Sequence, residues 1–413
     1  MTCANHKVRA VRCHYKASDP DVYEALCRAT ADLDVAWDKL RRARRIVLKF
    51  NQDSPPGQVV RFEGQRQQLV SDSVVRATLR LLREKTNAEL LCADISLYAT
   101  YFGSTVEETT QITPLLREFD VRFVDANREP LEIVPAIGGG LMFRQYAMMR
   151  EVIEADAVVS VAKAKNHGFA GVTGCLKNLF GLAPTEPIGR PRAYFHHLIR
   201  LPYVLVDIAR ILDPALNIVD ALVAQAGREW GDGKGTARPI STLIAGDQVV
   251  ATDACMMHLM GHDPRGDWPA PPFHRDRNPI LIAAKCGFGT VELPDIDFQS
   301  ETDPQAEGIF YADMTDSPET NLSWRRTTCE QALYYRDNPG KFAEFTGEYI
   351  LLQDGQARWH KAGGTIEQSR RDLSGANPDH AMWYKLVDPE ETEGEHYEVY
   401  EQTLAELADR RTP

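Results

Sequence analysis

A short stretch near the middle of the chain constrains the fold more than any other. Residues 158–184 read VVSVAKAKNHGFAGVTGCLKNLFGLAP. The apolar run from Val158 to Ala162 is typical of a strand that is covered on both faces of a parallel sheet. A glycine-rich turn follows, and Cys175 to Phe180 has the composition of a helix. This order predicts an α/β fold with polar groups at the carboxyl ends of the strands, where open α/β sheets bind ligands.

Cationic side chains cluster in this stretch, although the chain as a whole carries a net charge of −12. Lys163, Lys165 and His167 follow the apolar run, and Lys177 and Asn178 lie on the predicted helix. A solvated surface would explain one lysine, but not three among apolar neighbours. Because ammonium groups favour negative charge, the stretch predicts a site for a small anion such as a carboxylate or phosphate.

Composition narrows the class of protein. A chain of 413 residues with 43% hydrophobic content can bury a large core and predicts two or three domains. The negative charge argues against a nucleic acid or an anionic membrane as partner. The sequence shows neither a signal peptide nor an apolar run long enough to span a bilayer, so we expect a cytoplasmic protein. It leaves homo-oligomerisation open.

Known cofactor and nucleophile motifs are missing from the sequence. The eight cysteines include no CxxC pair, which argues against a zinc ribbon or an iron–sulfur loop. No Walker loop, GxSxG elbow or dinucleotide fingerprint is present either. The sequence therefore identifies no cofactor.

Three regions differ in their patterns. Residues 1–290 alternate strand and helix signals, which predicts an α/β core with a mainly parallel sheet and helices on both faces. Residues 291–325 are predicted as an irregular linker. Residues 326–413 are predicted as a small α+β module with an acidic, helical end.

Local patterns predict further elements. Pro135 to Gly140 is predicted as a hairpin turn, Tyr146 to Ala155 as a helix, and Pro294 to Ser317 as irregular chain. Tyr349 to His360 is predicted as a hairpin that turns at Asp354-Gly355, because this dipeptide favours tight hairpin turns.

Polar side chains also follow other predicted strands. Lys49 and Asn51 end one strand, Asp94 ends the next, and Asp220 lies near the end of a third. Asp94 is interpreted equally well as a site residue or as the cap of a turn. Asp253 lies inside an apolar helix, where burial of a carboxylate is costly, so we expect it to have a partner or a capping role.

Lys177 admits two interpretations. Burial lowers the pKa of a lysine, so Lys177 is a candidate base or Schiff-base nucleophile. An ion pair with Asp220 or Asp253 would explain it equally.

Three histidines are candidate acid/base groups. His167 follows the lysines, and His196 and His197 form a pair before a later helix. Histidine is the usual acid/base residue near neutral pH. The same residues with Asp220 and Asp94 are alternative metal ligands, although none has HxH or HxxxH spacing.

Several segments together resemble a known family. LKFNQD, AKAKNHGFAGVTGCLKNLFGL, LNIVDALVAQAG and IAGDQVVATDACMMHLMG, with the intervening R…HH, resemble the domain of unknown function 362 family over about residues 45–261. Asn166 departs from the family pattern as an insertion between the lysine and the histidine, and AQAGREWGDGKG replaces the usual glycine-rich turn. Some family members carry iron–sulfur motifs, whose cysteines this chain lacks. The positions that match the family pattern are Lys165, His167, Lys177, Asn178, His197, Asp220, Asp247 and Asp253.

The sequence therefore supports the hypothesis of an enzyme that binds a small anionic metabolite and performs acid/base chemistry of lyase or isomerase type without a redox cofactor. The alternatives are a metal-binding or redox protein, and a non-catalytic protein that binds an anionic ligand or a partner. The predicted catalytic residues are Lys177, His167 and His197. The predicted substrate-binding residues are Lys49, Asn51, Lys163, Lys165, Asn178, Arg192, Asp220 and Asp253.

Overall fold

The computed structural model describes residues 6–54, 56–96, 105–128, 130–186, 188–228, 235–314, 316–363 and 381–409. Within these ranges it has one large sheet of ten strands and a small antiparallel sheet of three strands near the C-terminus. The strands are β1 (His6–Arg12), β2 (Arg45–Phe50), β3 (Arg61–Phe62), β4 (Gln65–Arg66), β5 (Glu89–Asp94), β6 (Arg122–Asp125), β7 (Leu131–Pro135), β8 (Gln145–Met149), β9 (Ala157–His167), β10 (Gly171–Thr173), β11 (Leu216–Ala226), β12 (Thr236–Arg238), β13 (Thr242–Gly246), β14 (Ile296–Ser300), β15 (Tyr349–Gln353), β16 (Gln356–Lys361) and β17 (Trp383–Leu386).

Helices connect these strands and cover the large sheet. The α-helices are α1 (Asp19–Thr30), α2 (Asp34–Arg42), α3 (Asp72–Lys85), α4 (Val106–Thr109), α5 (Thr113–Glu118), α6 (Arg150–Ile153), α7 (Cys175–Asn178), α8 (Arg192–Phe195), α9 (Arg200–Leu212), α10 (Val249–Leu259), α11 (Pro279–Lys285), α12 (Pro318–Asp337) and α13 (Glu398–Asp409). The predicted α/β class is confirmed.

The large sheet is mainly parallel, in the order β14-β1-β13-β11-β9-β2-β5-β6. Only β13 among these eight runs against its neighbours. The short strands β10 and β12 pair antiparallel with β9 and β11. The carboxyl ends of β2, β5, β9 and β11 therefore meet at one edge of the sheet.

Two apolar clusters cover the two faces of the sheet. One contains Val159 and Val161 of β9 with buried residues of α1, α2 and α3. The other contains Val158, Ala162 and Ala164 of β9 with buried residues of α7, α9 and α10. The split follows from strand geometry, because successive side chains of a strand point to opposite faces. Helices thus cover both faces, as the buried apolar run predicted.

The structure corrects three local predictions. β9 is longer than its apolar run and includes Lys163, Lys165 and His167, because ion pairing and hydrogen bonds satisfy these polar groups inside the sheet. Residues 145–149 form β8, since they pair with β7, and only the short helix α6 follows. The predicted irregular segment contains β14, a short polar strand that pairs with β1.

Both predicted hairpins are confirmed. β7 and β8 flank the glycine-rich turn as an antiparallel pair. β15 and β16 turn at Asp354 and Gly355, whose φ angles of 49° and 71° are typical of a tight hairpin turn.

The C-terminal elements pack directly on the α/β core. Trp383 and Tyr400 belong to the same apolar cluster as α9. Arg200 at the start of α9 is fully buried and pairs with Glu395 at 2.7 Å. It also donates a hydrogen bond of 2.6 Å to the carbonyl of Tyr384. The described C-terminal elements therefore share their core with the larger sheet.

Candidate functional site

A buried polar network joins β2 and β5 to α7. The Nζ atom of Lys49 donates hydrogen bonds to Asp94 at 2.9 Å, to the carbonyl of Phe50 at 2.6 Å and to Asn178 at 3.4 Å. The side-chain amide of Asn178 donates to the carbonyl of Lys49 and to the hydroxyl of Ser160. The network fixes α7 against the sheet.

Asp94 has an altered acidity in this network. Its pKa is raised to about 7, because burial disfavours the charged carboxylate more than Lys49 stabilises it. The tight approach of the backbone at Gly181 supports the arrangement, since a Cβ there would lie 2.3 Å from Cε of Lys49. Asp94 is thus a partner of Lys49 and not only the cap of a turn.

The predicted lysines do not all lie on one face of the sheet. Lys49 is in register with Ser160, so both side chains point to the face that α7 covers. Lys163 and Lys165 are an odd number of residues from Ser160 and point to the opposite face. There Lys165 donates a hydrogen bond of 2.9 Å to the carbonyl of Gln68. The sheet separates the lysines into two groups.

Lys163 is part of an internal ion pair. Its ammonium group lies 3.0 Å from Asp220, and both side chains are fully buried. Burial lowers the pKa of Lys163, which Asp220 partly offsets. Asp220 also accepts hydrogen bonds from the N–H groups of Ser71 and Leu222. Contact of either residue with a ligand would require this network to open.

Asp253 caps α7, in agreement with the role expected from its burial. Its carboxylate accepts hydrogen bonds from the N–H groups of Cys175 at 2.7 Å and Leu176 at 2.9 Å. A Cβ on Gly174 would lie 2.4 Å from Asp253, so only glycine permits this approach. The cap fixes the helix that carries Lys177, which is partly exposed.

Asn51 follows β2 and lies between Val161 and Val70. Its backbone N–H donates to the carbonyl of Val161, and its carbonyl accepts from Val70. Its side-chain Oδ1 atom is buried and finds no hydrogen-bond donor within the described residues. Asn51 thus lies at the carboxyl edge of the sheet, as predicted.

His167 and His196 lie close together. The centroids of their rings are 6.4 Å apart, and His196 also contacts the ring of Phe180 with a centroid distance of 4.9 Å. The Nδ1 atom of His167 accepts hydrogen bonds from the N–H groups of Phe169 at 2.9 Å and Ala170 at 3.2 Å. The ring proton of neutral His167 therefore resides on Nε2.

Cationic side chains surround His196. Burial lowers its pKa well below the usual 6.5, and the charges of Arg192, Lys177 and Arg275 lower it further. The Nε2 atom of His196 is buried and has no hydrogen-bond partner within the described ranges. At neutral pH His196 is therefore a neutral imidazole in a positively charged environment.

His197 lies in a different environment. Its Nδ1 atom is 3.0 Å from the carbonyl of Leu198, and its Nε2 atom accepts a hydrogen bond from the N–H group of Tyr384 at 3.2 Å. This ring links the turn before α9 to β17. The structure thus brings His196, and not His197, next to His167.

The sequence did not indicate Arg275, and it favoured His197 over His196 as a catalytic residue. Arg275 lies beyond the segment that carried the family resemblance, in a proline-rich stretch without a strand or helix pattern. Its guanidinium lies 3.8 Å from the ring centroid of Phe169. An arginine in such a stretch has no periodic signal that distinguishes it from a surface residue.

Two features are absent from the part of the chain that the structure describes. They contain no group of three or more His, Cys, Asp or Glu side chains arranged to hold a metal ion. They also contain no helix with the length and apolar character needed to cross a membrane.

Comparison with known proteins gives relatives of part of the chain. Over 209 residues the chain is 26% identical to "Thylakoid-associated protein sll1697" from Synechocystis sp., which covers 48% of this chain and 59% of that protein. The lactate racemase apoprotein from Thermoanaerobacterium thermosaccharolyticum is 19% identical and has a TM-score of 0.33, over 53% of this chain and 50% of the racemase. At this TM-score the similarity supports no inference about activity. The chain spans only part of both proteins.

The family model described as Domain of unknown function (DUF362) matches residues 49–258, about half of the chain. This range contains β2, β5, β9, β11, α7 and α10, which carry most of the site described above. The protein therefore belongs to the DUF362 family.

Proposed function

We propose that this protein is an enzyme of isomerase or lyase type that moves a proton on a small anionic metabolite. The observation that carries the proposal is the position of neutral His196 beside His167, among Lys177, Arg192 and Arg275. Acid/base enzymes require a base whose pKa is tuned by its surroundings. The surrounding cations would attract an anionic substrate to this position.

Lys177 and Arg192 bind the negative group of the substrate in this proposal. Both side chains are partly exposed, and both act on His196 electrostatically. Arg192 also lies over the ring of Phe180, with 5.1 Å between its Cζ atom and the ring centroid. Phe180 thus connects the arginine to His196, which places the anion near the base.

His167 acts as a neutral hydrogen-bond donor. Protonation at Nδ1 would break its hydrogen bonds with the N–H groups of Phe169 and Ala170. The hydrogen bonds that Nδ1 accepts therefore favour the tautomer that carries the ring proton on Nε2. A neutral imidazole of this kind can polarise a carbonyl or hydroxyl oxygen of the substrate without giving up its proton.

His196 acts as the base. Its depressed pKa keeps the ring unprotonated, and so able to accept a proton, at neutral pH. When a substrate anion offsets the charges of Lys177 and Arg192, the pKa of His196 should rise, because the cations lower it in the free protein. Substrate binding would thus increase the basicity of His196 at the moment when it is needed.

Lys49, Asn178 and Asp253 have a supporting role in this proposal. They bond to the sheet or to the N-terminus of α7 and hold the helix that carries Lys177. Lys163, Lys165 and Asp220 fix β9 and β11 from the opposite face.

Proton exchange with solvent tests the proposal. Small carboxylates with an acidic C–H bond are incubated with the protein in D2O, and NMR measures deuterium incorporation. The His196→Gln variant should lower the exchange rate by about 10²–10⁴-fold, which is the usual contribution of a general base. His14→Gln is the matched control, because His14 is exposed and lies outside the site. Exchange at the wild-type rate in His196→Gln would exclude His196 as the base.

Lys177→Ala tests the anion site separately. We expect loss of carboxylate binding with a nearly unchanged melting temperature, since Lys177 is partly exposed. A large loss of stability would instead make Lys177 a structural residue.

A further inference from the structure

We infer that the substrate carries two negative groups, and that Arg275 binds the second one. This inference deepens the proposed function and rests on it. Arg275 lies outside residues 49–258, the range that the family model matches.

The position of Arg275 links it to both histidines. Its guanidinium stacks on Phe169, with 3.8 Å between Cζ and the ring centroid. The backbone N–H of Phe169 donates to His167, and the ring of Phe169 lies 6.3 Å from that of His196. One aromatic residue thus places the guanidinium beside the proposed donor and the proposed base.

Two arginines approach His196 from different elements. Arg192 belongs to α8 and stacks on Phe180, whose ring contacts that of His196. Arg275 lies between α10 and α11 and stacks on Phe169, whose ring also lies near that of His196. A single carboxylate needs only one bidentate arginine. Two guanidinium groups on separate aromatic rings match a substrate with two anionic ends.

No close ion pair with another described residue neutralises the charge of Arg275. Within the described residues no carboxylate oxygen lies within 4 Å of a side-chain nitrogen of Arg275. The carboxylate of neighbouring Asp276 instead contacts Arg325 at 2.7 Å and the N–H group of Ile199 at 2.7 Å. Because an arginine stays charged at all physiological pH values, this partly buried cation favours a negative ligand group.

A cavity lies beside Arg275. Gly168, His274 and Asn321 line it, together with Asp313 and Asp316. Asp313 pairs with Arg228 at 3.5 Å, and Asp316 attracts Arg275 through space. Asp276 and Asp316 therefore stabilise the charge of Arg275 through space, without a close ion pair.

The C-terminal part of the chain holds Arg275 in place. Its backbone carbonyl accepts hydrogen bonds from Asn321 at 3.2 Å and from Arg325 at 3.2 Å, both on α12. Arg325 is fully buried and also lies over the ring of Trp268. In this inference α12 contributes to substrate selection, although it lies outside the family segment in sequence.

Two probes of equal chain length test the inference. Butyrate has one carboxylate and succinate has two, and NMR titration measures the affinity of each. We expect wild-type protein to bind succinate more tightly than butyrate. Arg275→Ala should lower the affinity for succinate about tenfold or more, because a charge-assisted hydrogen bond contributes about 1.5–3 kcal/mol. It should leave the affinity for butyrate within about twofold.

Two further variants serve as references. Arg192→Ala should weaken the binding of both probes, because Arg192 and Lys177 bind the carboxylate that the two probes share. Arg265→Ala should weaken neither, because Arg265 lies in the same segment but is exposed and paired with Asp263.

The outcomes separate the two proposals. If Arg275→Ala leaves the affinity for succinate unchanged, or weakens both probes equally, a second anion position at Arg275 is wrong. The proposed function then still stands, provided that Arg192→Ala weakens butyrate. If the wild-type protein binds neither probe, the anion site of the proposed function fails, and the second position fails with it.

Discussion

The ammonium group of Lys163 lies 3.0 Å from the carboxylate of Asp220, and neither side chain is exposed. Asp220 also accepts hydrogen bonds from the N–H groups of Ser71 at 2.7 Å and Leu222 at 3.0 Å. One buried pair therefore joins β9, β11 and the start of α3. These contacts place it in the framework of the site.

Removal of one partner from this pair should be costly. Lys163→Met leaves Asp220 buried without its counter-charge and should lower the free energy of unfolding by about 3–5 kcal/mol. Urea denaturation followed by circular dichroism measures the loss. The double variant Lys163→Met/Asp220→Asn should recover part of it, because no unpaired buried charge remains. A double variant no more stable than the single one would contradict this account.

His196 should remain neutral well below the usual pKa of histidine. Burial and then Arg192 lower its pKa, so the ring should carry no charge at pH 6.5 and above. Nitrogen-15 NMR of the imidazole measures the titration directly. Arg192→Gln should raise the pKa of His196, because it removes a neighbouring positive charge. A pKa at or above 6.5 in the free wild-type protein would contradict the prediction.

Asp253 should make the wild-type protein less stable as the pH rises from about 4 to about 7. Burial raises the pKa of its carboxyl to about 7, against 3.8 in an exposed site. Between these values the folded state holds a proton that the unfolded state has released. The free energy of unfolding therefore falls with pH, by up to about 1.4 kcal/mol per pH unit for one group.

The Asp253→Asn variant isolates this contribution. It lacks the titrating carboxyl, so its free energy of unfolding should depend less steeply on pH than that of the wild type. Asp94, whose pKa is also raised to about 7, remains in both proteins and cancels in the comparison. Urea denaturation at several pH values provides the curves. Parallel curves would mean that Asp253 keeps an ordinary pKa.

Asp276 and Arg325 should control ligand selection from outside the site. Asp276 bonds Arg325 and also holds the N–H group of Ile199, a β-branched residue with the unfavourable φ angle of 76°. Arg325→Met should therefore weaken succinate binding more than butyrate binding, because it releases the backbone of Arg275. Asp276→Asn keeps an acceptor for Ile199 and should show a smaller effect of the same kind.

Folding must be verified for these variants. Circular dichroism at the titration temperature should show unchanged secondary structure. If a folded Arg325→Met variant loses affinity for both probes equally, α12 has a general structural role and does not position Arg275 selectively.

Strand periodicity and turn chemistry made much of the fold predictable. The apolar run at Val158 requires a sheet that is covered on both faces, and Asp354-Gly355 requires a tight turn. The burial cost of Asp253 predicted that it has a partner. Each of these features follows from local chemistry, so no distant contact was needed to recognise it.

Other features depended on contacts between distant residues. Polar β14 forms because β1 supplies its hydrogen bonds, and β8 forms because β7 does. A short segment without its pairing partner carries no signal that distinguishes strand from helix or loop.

The α/β class and the polar residues at the carboxyl ends of the strands could be predicted from the order of residues alone. Contacts between distant segments were needed to establish that Lys49 and Lys163 point to opposite faces, and that His196 rather than His197 approaches His167. Such contacts also bring Arg275 to these histidines from beyond the family segment. The reason is physical: composition and periodicity fix what a segment can form, whereas the packing of distant segments fixes which side chains meet.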